Sequence, residues 1–239
     1  MKFGEVAVAD AEGAILAHSL HVSNGVLRKG IILGKDALHQ LEDAGISRVT
    51  VAQLEEGDLN ENEAAVRIAE AIQTKGLVAS GGSRGRANLR ATNDGLVLID
   101  AETIHRINAV DETITVSTLE PYAAVKAGQV AATVKIITFG VSSYIAEECV
   151  SIAKAGNSPV SLASYKPLKI GFIQTLLSGH KSSLVSKASQ AAGDRLKPLG
   201  LMIDVFTPIS SPMELSSGTP ELPGLIAASA VSYTHLRAN

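Results

Sequence analysis

Two stretches of the chain gather side chains suited to holding an anion. The first, Ser80-Gly81-Gly82-Ser83-Arg84-Gly85-Arg86, is basic and glycine-rich. Glycines let backbone N–H groups approach a phosphate closely, and guanidinium groups supply charge and paired donors. The spacing excludes a Walker loop, because no Gly-Lys-Ser/Thr follows, and a dinucleotide fingerprint, because the loop does not open a helix behind a strand of a βαβ unit. A flexible connection is the alternative, and Arg86 and Asn88 are the candidate binding residues. In the second stretch Thr175, Ser178, Lys181, Ser182 and Ser183 surround an expected strand-to-helix turn. Backbone N–H groups and hydroxyls at a helix N-terminus favour a phosphate, and Lys181 would add a point charge. The alternative here is a Ser182 or Ser183 cap with a solvated Lys181.

The remaining reactive side chains form no catalytic constellation. His180 has no carboxylate partner in its loop and is expected to be exposed. His18 falls in an apolar helical context and is expected to be structural. Cys149 is the single cysteine, which excludes an intrachain disulfide and a cysteine-based zinc site. Its apolar neighbours from Ile145 to Ile152 imply a buried thiol. Glu55, Glu56, Asp58, Glu61 and Glu63 are expected as solvated charges at loops and a helix start, and Glu147 with Glu148 as a polar helix face. Lys135, flanked by apolar residues, is expected as a snorkelling lysine at a sheet edge.

The elements that position these residues alternate between strands and helices. Residues 3–20 begin with apolar alternation and pass into Ala-rich helical spacing. Asp36 to Ala44 has helical spacing ended by Gly45, and Arg48 to Val51 reads as a strand. Asp58-Leu59-Asn60 supplies caps for a helix through Ala64, Ile68 and Ile72. Strands are expected over 95–99, 113–119 and 130–137, with a helix over 101–108. Gly30 and Gly128 each end a Lys-Gly or Lys-Ala-Gly turn before a β segment, an echo too short to be a repeat. Pro159 and Pro167 bracket an expected linker. Beyond it Lys169 to Thr175, Ser182 to Leu196 and Leu201 to Val205 spell strand, helix and strand, a βαβ unit of a parallel sheet.

Composition bounds the class of partner. The 239 residues are 46% hydrophobic and 19% charged, with 3% aromatics and no Trp, so the core is built from Val, Ile, Leu and Ala. A net charge of −3 argues against nucleic acid as partner. No apolar run approaches the roughly 18 residues of a membrane span, and the N-terminus lacks the apolar core of a signal peptide. A cytoplasmic protein with no membrane partner is expected.

Several segments in order resemble the molybdopterin-binding proteins that occur alone or joined to a molybdenum-cofactor cytidylyltransferase. They are Ala11-Glu12-Gly13-Ala14-Ile15-Leu16-Ala17-His18-Ser19-Leu20, Leu27-Arg28-Lys29-Gly30, Gly85-Arg86-Ala87-Asn88-Leu89, Ala132-Thr133-Val134-Lys135-Ile136-Ile137 and Pro167-Leu168-Lys169-Ile170-Gly171-Phe172-Ile173. The early segments are also similar to the non-catalytic region of molybdopterin molybdotransferases. The likeness runs from about residue 1 to about residue 206, and the order and spacing of the segments carry it.

The resemblance implies an N-terminal α+β region (1–158), a linker (159–167) and an incomplete molybdopterin-binding domain with a parallel sheet in a three-layer α/β arrangement (168–228). It implies molybdopterin or molybdenum cofactor as ligand, in cofactor biosynthesis or delivery, held by Thr175, Ser178, Lys181, Ser182, Ser183, Arg86 and Asn88. A nucleotidyltransferase domain or a molybdoenzyme-maturation protein is the implied macromolecular partner, and a homo-oligomer is open. Two alternatives stand beside it, the N-terminal portion of a cytidylyltransferase-type enzyme and a non-catalytic scaffold or oligomerisation domain. In the family a glycine-rich loop after the third strand holds the pterin phosphate; nothing after Val205 matches it, and residues 229–239 resemble translated sequencing adapter rather than native chain.

Overall fold

Strand β1 (Lys2–Ala7) follows the opening alternation, but the helix expected over the next residues does not form. Ala14, Ile15, Leu16 and Ala17 are all buried in succession, whereas a helix turns only one stripe inward. Gly13, at φ 78°, reverses the chain instead. The chain then forms β2 (Ile15–Leu16) and a hairpin of β3 (Leu20–Val22) with β4 (Gly25–Leu27). Helix α1 (Lys35–Asp43) buries Leu41, Gly45 ends it at φ 71°, and β5 (Arg48–Gln53) returns as the centre of a β1-β5-β2 antiparallel sheet. Val8, Ala11, Leu16, Leu33, Leu41, Val49 and Val51 close a first small core.

The structure, a computed structural model, describes residues 1–156, 158–175 and 182–209. Its contacts divide into two units, Met1–Tyr165 and Lys166–Asn239.

The larger core of the first unit begins with β6 (Asp58–Asn60) and α2 (Glu61–Ile72). Asn60 caps α2 as the sequence spacing implies. Its Oδ1 accepts the N–H groups of Asn62 and Glu63, both at 3.0 Å, and the Glu63 carboxylate accepts the Asn60 N–H in return. That reciprocal box satisfies orphan donors of the first turn. Next come β7 (Leu77–Ala79), β8 (Arg86–Ala91), β9 (Gly95–Ile99), α3 (Ala101–Asn108), β10 (Ile114–Thr118), β11 (Ala124–Val125), β12 (Val130–Ile136), β13 (Gly140–Ser142), α4 (Ser143–Lys154) and β14 (Val160–Ser164).

The strands pair antiparallel as β10-β12-β8-β7, β11-β9-β14 and β13-β6. Ala64, Ala65, Ile68, Ala69 and Ile72 of α2 share the larger core with Ala87, Leu89, Val134 and Ile136 of the four-stranded sheet. Burying one such Leu or Ile contributes about 1.5–3 kcal/mol.

One further expectation about this unit changes. Residues 160–164, expected within a linker, pair with β9 from Val160↔Ile99 to Ser164↔Gly95. Pro159 stands just ahead of this strand, where no ladder N–H is needed. The glycine echo, in contrast, has a backbone counterpart. Gly30 donates to Leu16 O and Leu16 N donates to Ile31 O; Gly128 donates to Ala91 O and Ala91 N donates to Gln129 O. Both glycines have positive φ, 87° and 83°, so the two Lys-containing turns share a hydrogen-bond pattern, although the second leads into β12 and the first only into an isolated bridge of Ile32 with Ile15.

In the second unit β15 (Lys169–Thr175) runs parallel to β16 (Met202–Ile209), with α5 (Ser182–Leu196) between them. Gly200, at φ 71°, turns the chain into β16. The expected parallel sheet of a three-layer α/β domain is nevertheless overturned. Every other ladder among the described residues is antiparallel, in small sheets of two to four strands. One parallel pair offers no interior strand for helices to cover on both faces, which is what a three-layer arrangement requires.

Candidate functional site

The glycine-rich loop lies over the N-terminal turn of α2, and its donors are mostly engaged. Ser80 N donates to Asn88 O at 2.8 Å, Ser83 N to Arg86 O at 2.9 Å and Arg86 N to Ser83 O at 3.1 Å. Gly85 N donates to Asn62 Oδ1 at 2.9 Å. Two of its glycines are there for closeness. A Cβ at Gly82 would stand 2.7 Å from Asn62 O, and one at Gly85, which has φ 67°, would stand 2.7 Å from Ile136 O. The turn beneath carries Glu61 and Glu63 and is already capped. Four of the loop's backbone donors, those of Ser80, Ser83, Gly85 and Arg86, thus serve the fold, and the adjoining helix terminus is acidic.

Arg86 and Asn88 sit on β8, on the face of the four-stranded sheet turned away from α2. Asn88 is half-buried; its Oδ1 accepts the Thr133 hydroxyl at 2.7 Å, and its N–H donates to Ser80 Oγ at 3.1 Å. The side-chain carbonyl thus ties β8 to β12, and the backbone N–H ties β8 to the loop. Arg86 is exposed and pairs in register with Lys135. Lys135 is exposed too, but it lies on the interior strand β12 rather than at an edge, because β10 and β8 flank it.

The second candidate stretch belongs to the other unit. Thr175 is the last residue of β15, and Ser182 and Ser183 open α5, with Ser183 exposed. Ser178, His180 and Lys181 lie outside the described residues. β15 and β16 pair in parallel, and Thr175 stands at the carboxyl end of β15.

Glu56 and Glu148 are exposed as expected, while several of the other carboxylates have structural partners. Asp58 Oδ2 lies 2.7 Å from the Met1 ammonium and accepts the Glu55 N–H at 2.8 Å. Glu55 meets the same ammonium at 3.2 Å and Lys2 at 3.0 Å. The ammonium holds Asp58 below its ordinary range, with help from the Glu55 N–H, and Lys2 does the same for Glu55. Glu147 pairs with Arg67 at 2.6 Å. Asp100 caps α3 and accepts the Thr103 hydroxyl, which lowers its carboxyl. Glu61 is the exception: burial raises its carboxyl, and Lys29 opposes the shift.

His18 is exposed and outside any helix. Cys149 is fully buried on α4, and burial raises its thiol to about 11. Among the described residues no group of three or more His, Cys, Asp or Glu side chains could hold a metal ion, and no helix is long and apolar enough to cross a membrane.

Two groupings escaped the sequence reading. Phe3 and Phe139 stack with centroids 6.3 Å apart, and the Lys29 ammonium lies 5.0 Å from the Phe139 centroid. Only long-range folding brings these residues together. The second grouping had a local signal: Arg86-Ala87-Asn88-Leu89-Arg90-Ala91 alternates, so Arg90 shares the outward face with Arg86 and Asn88.

A family model described as a domain of unknown function (DUF8806) matches residues 5–53. That span runs from within β1 to the end of β5, around the first small core. No curated protein matches the chain, and no solved structure does.

Proposed function

We propose that the chain binds molybdopterin or molybdenum cofactor in cofactor biosynthesis or delivery, in the cytoplasm. The observation that carries the reading is the β15–α5–β16 crossover. Parallel strands joined through a helix put Thr175 at a strand's carboxyl end and Ser182 and Ser183 in the first helical turn. Hydroxyls and backbone N–H groups in that position suit a phosphomonoester, and the helix dipole adds a favourable field. The ordered segments that resemble molybdopterin-binding proteins support it independently. In a longer cytidylyltransferase-type enzyme, this part would present the cofactor to the transferase module. The test is titration of the purified chain with molybdopterin, followed by pterin fluorescence. Saturable binding weakened in Thr175→Val and Ser183→Ala variants is expected; absence of saturable binding rejects the reading.

A non-catalytic scaffold or oligomerisation role is favoured by one observation in the first unit. Asp58, Asp94 and Asp100, with lowered carboxyls, all serve ion pairs, backbone N–H groups or caps. Sedimentation equilibrium separates the readings: a dimer that forms without any pterin supports the scaffold.

A further inference from the structure

The sheet β10-β12-β8-β7 has one buried apolar face and one outer face, and the charged side chains its strands carry on the outer face are all of one sign. Its inner residues, among them Ala87, Leu89, Val134 and Ile136, belong to the core shared with α2. Its outer residues are Arg86, Asn88 and Arg90 on β8, Thr133 and Lys135 on β12, and Thr115 and Ser117 on β10, while Val130 of β12 and the exposed Val78 of β7 flank Arg90. Register puts Lys135 between Arg86 and Thr115, and Thr133 between Asn88 and Ser117. The four strands contain no Asp or Glu. Arg86, Arg90 and Lys135 are exposed. Arg90 donates to Gly128 O at 2.9 Å, a contact that holds the side chain without neutralising it.

This arrangement runs against the local rules of sheet stability. Arg86 and Lys135 are direct cross-strand neighbours, about 5 Å apart at Cα, and like charges in that relation destabilise a sheet. A carboxylate on either strand would relieve the repulsion. Places where a sequence breaks a local rule without local compensation mark function. We propose that this face docks a Glu/Asp-rich segment of a partner protein.

The alternatives fit less well. Duplex nucleic acid binders make about 6–10 phosphate contacts, whereas three cations stand here within about 13 Å along β8. Single strands are held by stacking on aromatic side chains, and the four strands contain none. A small phosphate ligand wants a concave site, while a sheet face presents its side chains in one layer. An extended acidic segment matches the spacing of the cations and the ladder of hydroxyl and amide groups between them.

The test uses the full chain and fluorescein-labelled poly-L-glutamate, read by anisotropy at low and at physiological salt. Saturable, salt-sensitive binding is expected, weakened about tenfold or more in Arg86→Gln/Lys135→Gln and unchanged in Arg106→Gln, which alters an exposed cation on α3. Circular dichroism checks that each variant folds, and Lys135→Gln alone serves if the double variant does not. The proposal is overturned by no binding of poly-L-glutamate or by equal weakening in Arg106→Gln. Tighter binding of oligothymidylate or inorganic phosphate through the same residues overturns it too.

Discussion

The ammonium of Lys29, from the Leu27-Arg28-Lys29-Gly30 turn of the first small core, lies 5.0 Å from the ring centroid of Phe139, which belongs to the segment between β12 and β13. Phe3 of β1 stacks on the same ring, with centroids 6.3 Å apart. Leu54 reaches the neighbouring residue Gly140 so closely that a Cβ there would clash with it. These contacts join residues around the first small core to residues around the larger one inside the first unit.

Removing that ring should therefore loosen the N-terminal part of the unit. Phe139→Ala loses an aromatic pair and a cation–π contact, together about 1–2.5 kcal/mol. Lys29→Met should lose only about 0.5–1 kcal/mol, the value of an exposed cation–π contact. Urea denaturation of the two single variants and the double variant closes the cycle; strictly additive losses would show that the two side chains do not interact.

Gly85→Ala should destabilise the protein by about 1–3 kcal/mol, through strain at positive φ and the clash with Ile136 O. Gly81→Ala, with open space around its Cβ position, should have little effect. A loop that cradled phosphate would behave differently, losing anion affinity in both variants while keeping its melting temperature.

The ion cluster at the N-terminus sets a dependence on pH from two sides. Asp58 and Glu55 have folded carboxyls below their ordinary values, so their contribution is present above the ordinary carboxylate range and lost as pH falls through the folded values. Asp58, and then Glu55, raise the Met1 ammonium. Its contribution is present below the ordinary amino value and lost as pH rises through the folded one. Asp58→Asn should flatten both flanks of a plot of urea midpoint against pH, and an unchanged plot would remove the cluster from the account.

Cys149, buried and raised to about 11, should be inert at neutral pH. Ellman's reagent should find no thiol in the folded chain and one per chain in guanidinium chloride. Rapid native labelling would mean that α4 opens readily.

Much of the local structure was legible because its causes are local. Asn60 and Glu63 stand at capping-box spacing ahead of an apolar helical stripe, and α2 begins there. Gly45 follows a helical pattern, and α1 ends there. The strand–helix–strand order after Lys169 follows from apolar runs bounded by turn residues. The sequence misled where burial is not one-sided. Residues 14–17 are buried all round in short strands and turns, so Ala-rich composition resembled a helix. The prolines around 160–164 resembled a linker, although a proline ahead of a strand costs the ladder nothing.

Sequence by itself determined the caps, the glycine turns, the buried character of Cys149 and the alternation that puts Arg86 and Arg90 on one face. Tertiary structure alone decided that the sheets of the first unit are antiparallel. It also decided that Gly82 and Gly85 serve packing, that Lys135 faces Arg86 across strands, and that Lys29 meets Phe139. The division has a physical reason. Capping and alternation are settled within a few residues of the chain, whereas strand partners and close approaches depend on which distant surfaces bury each other.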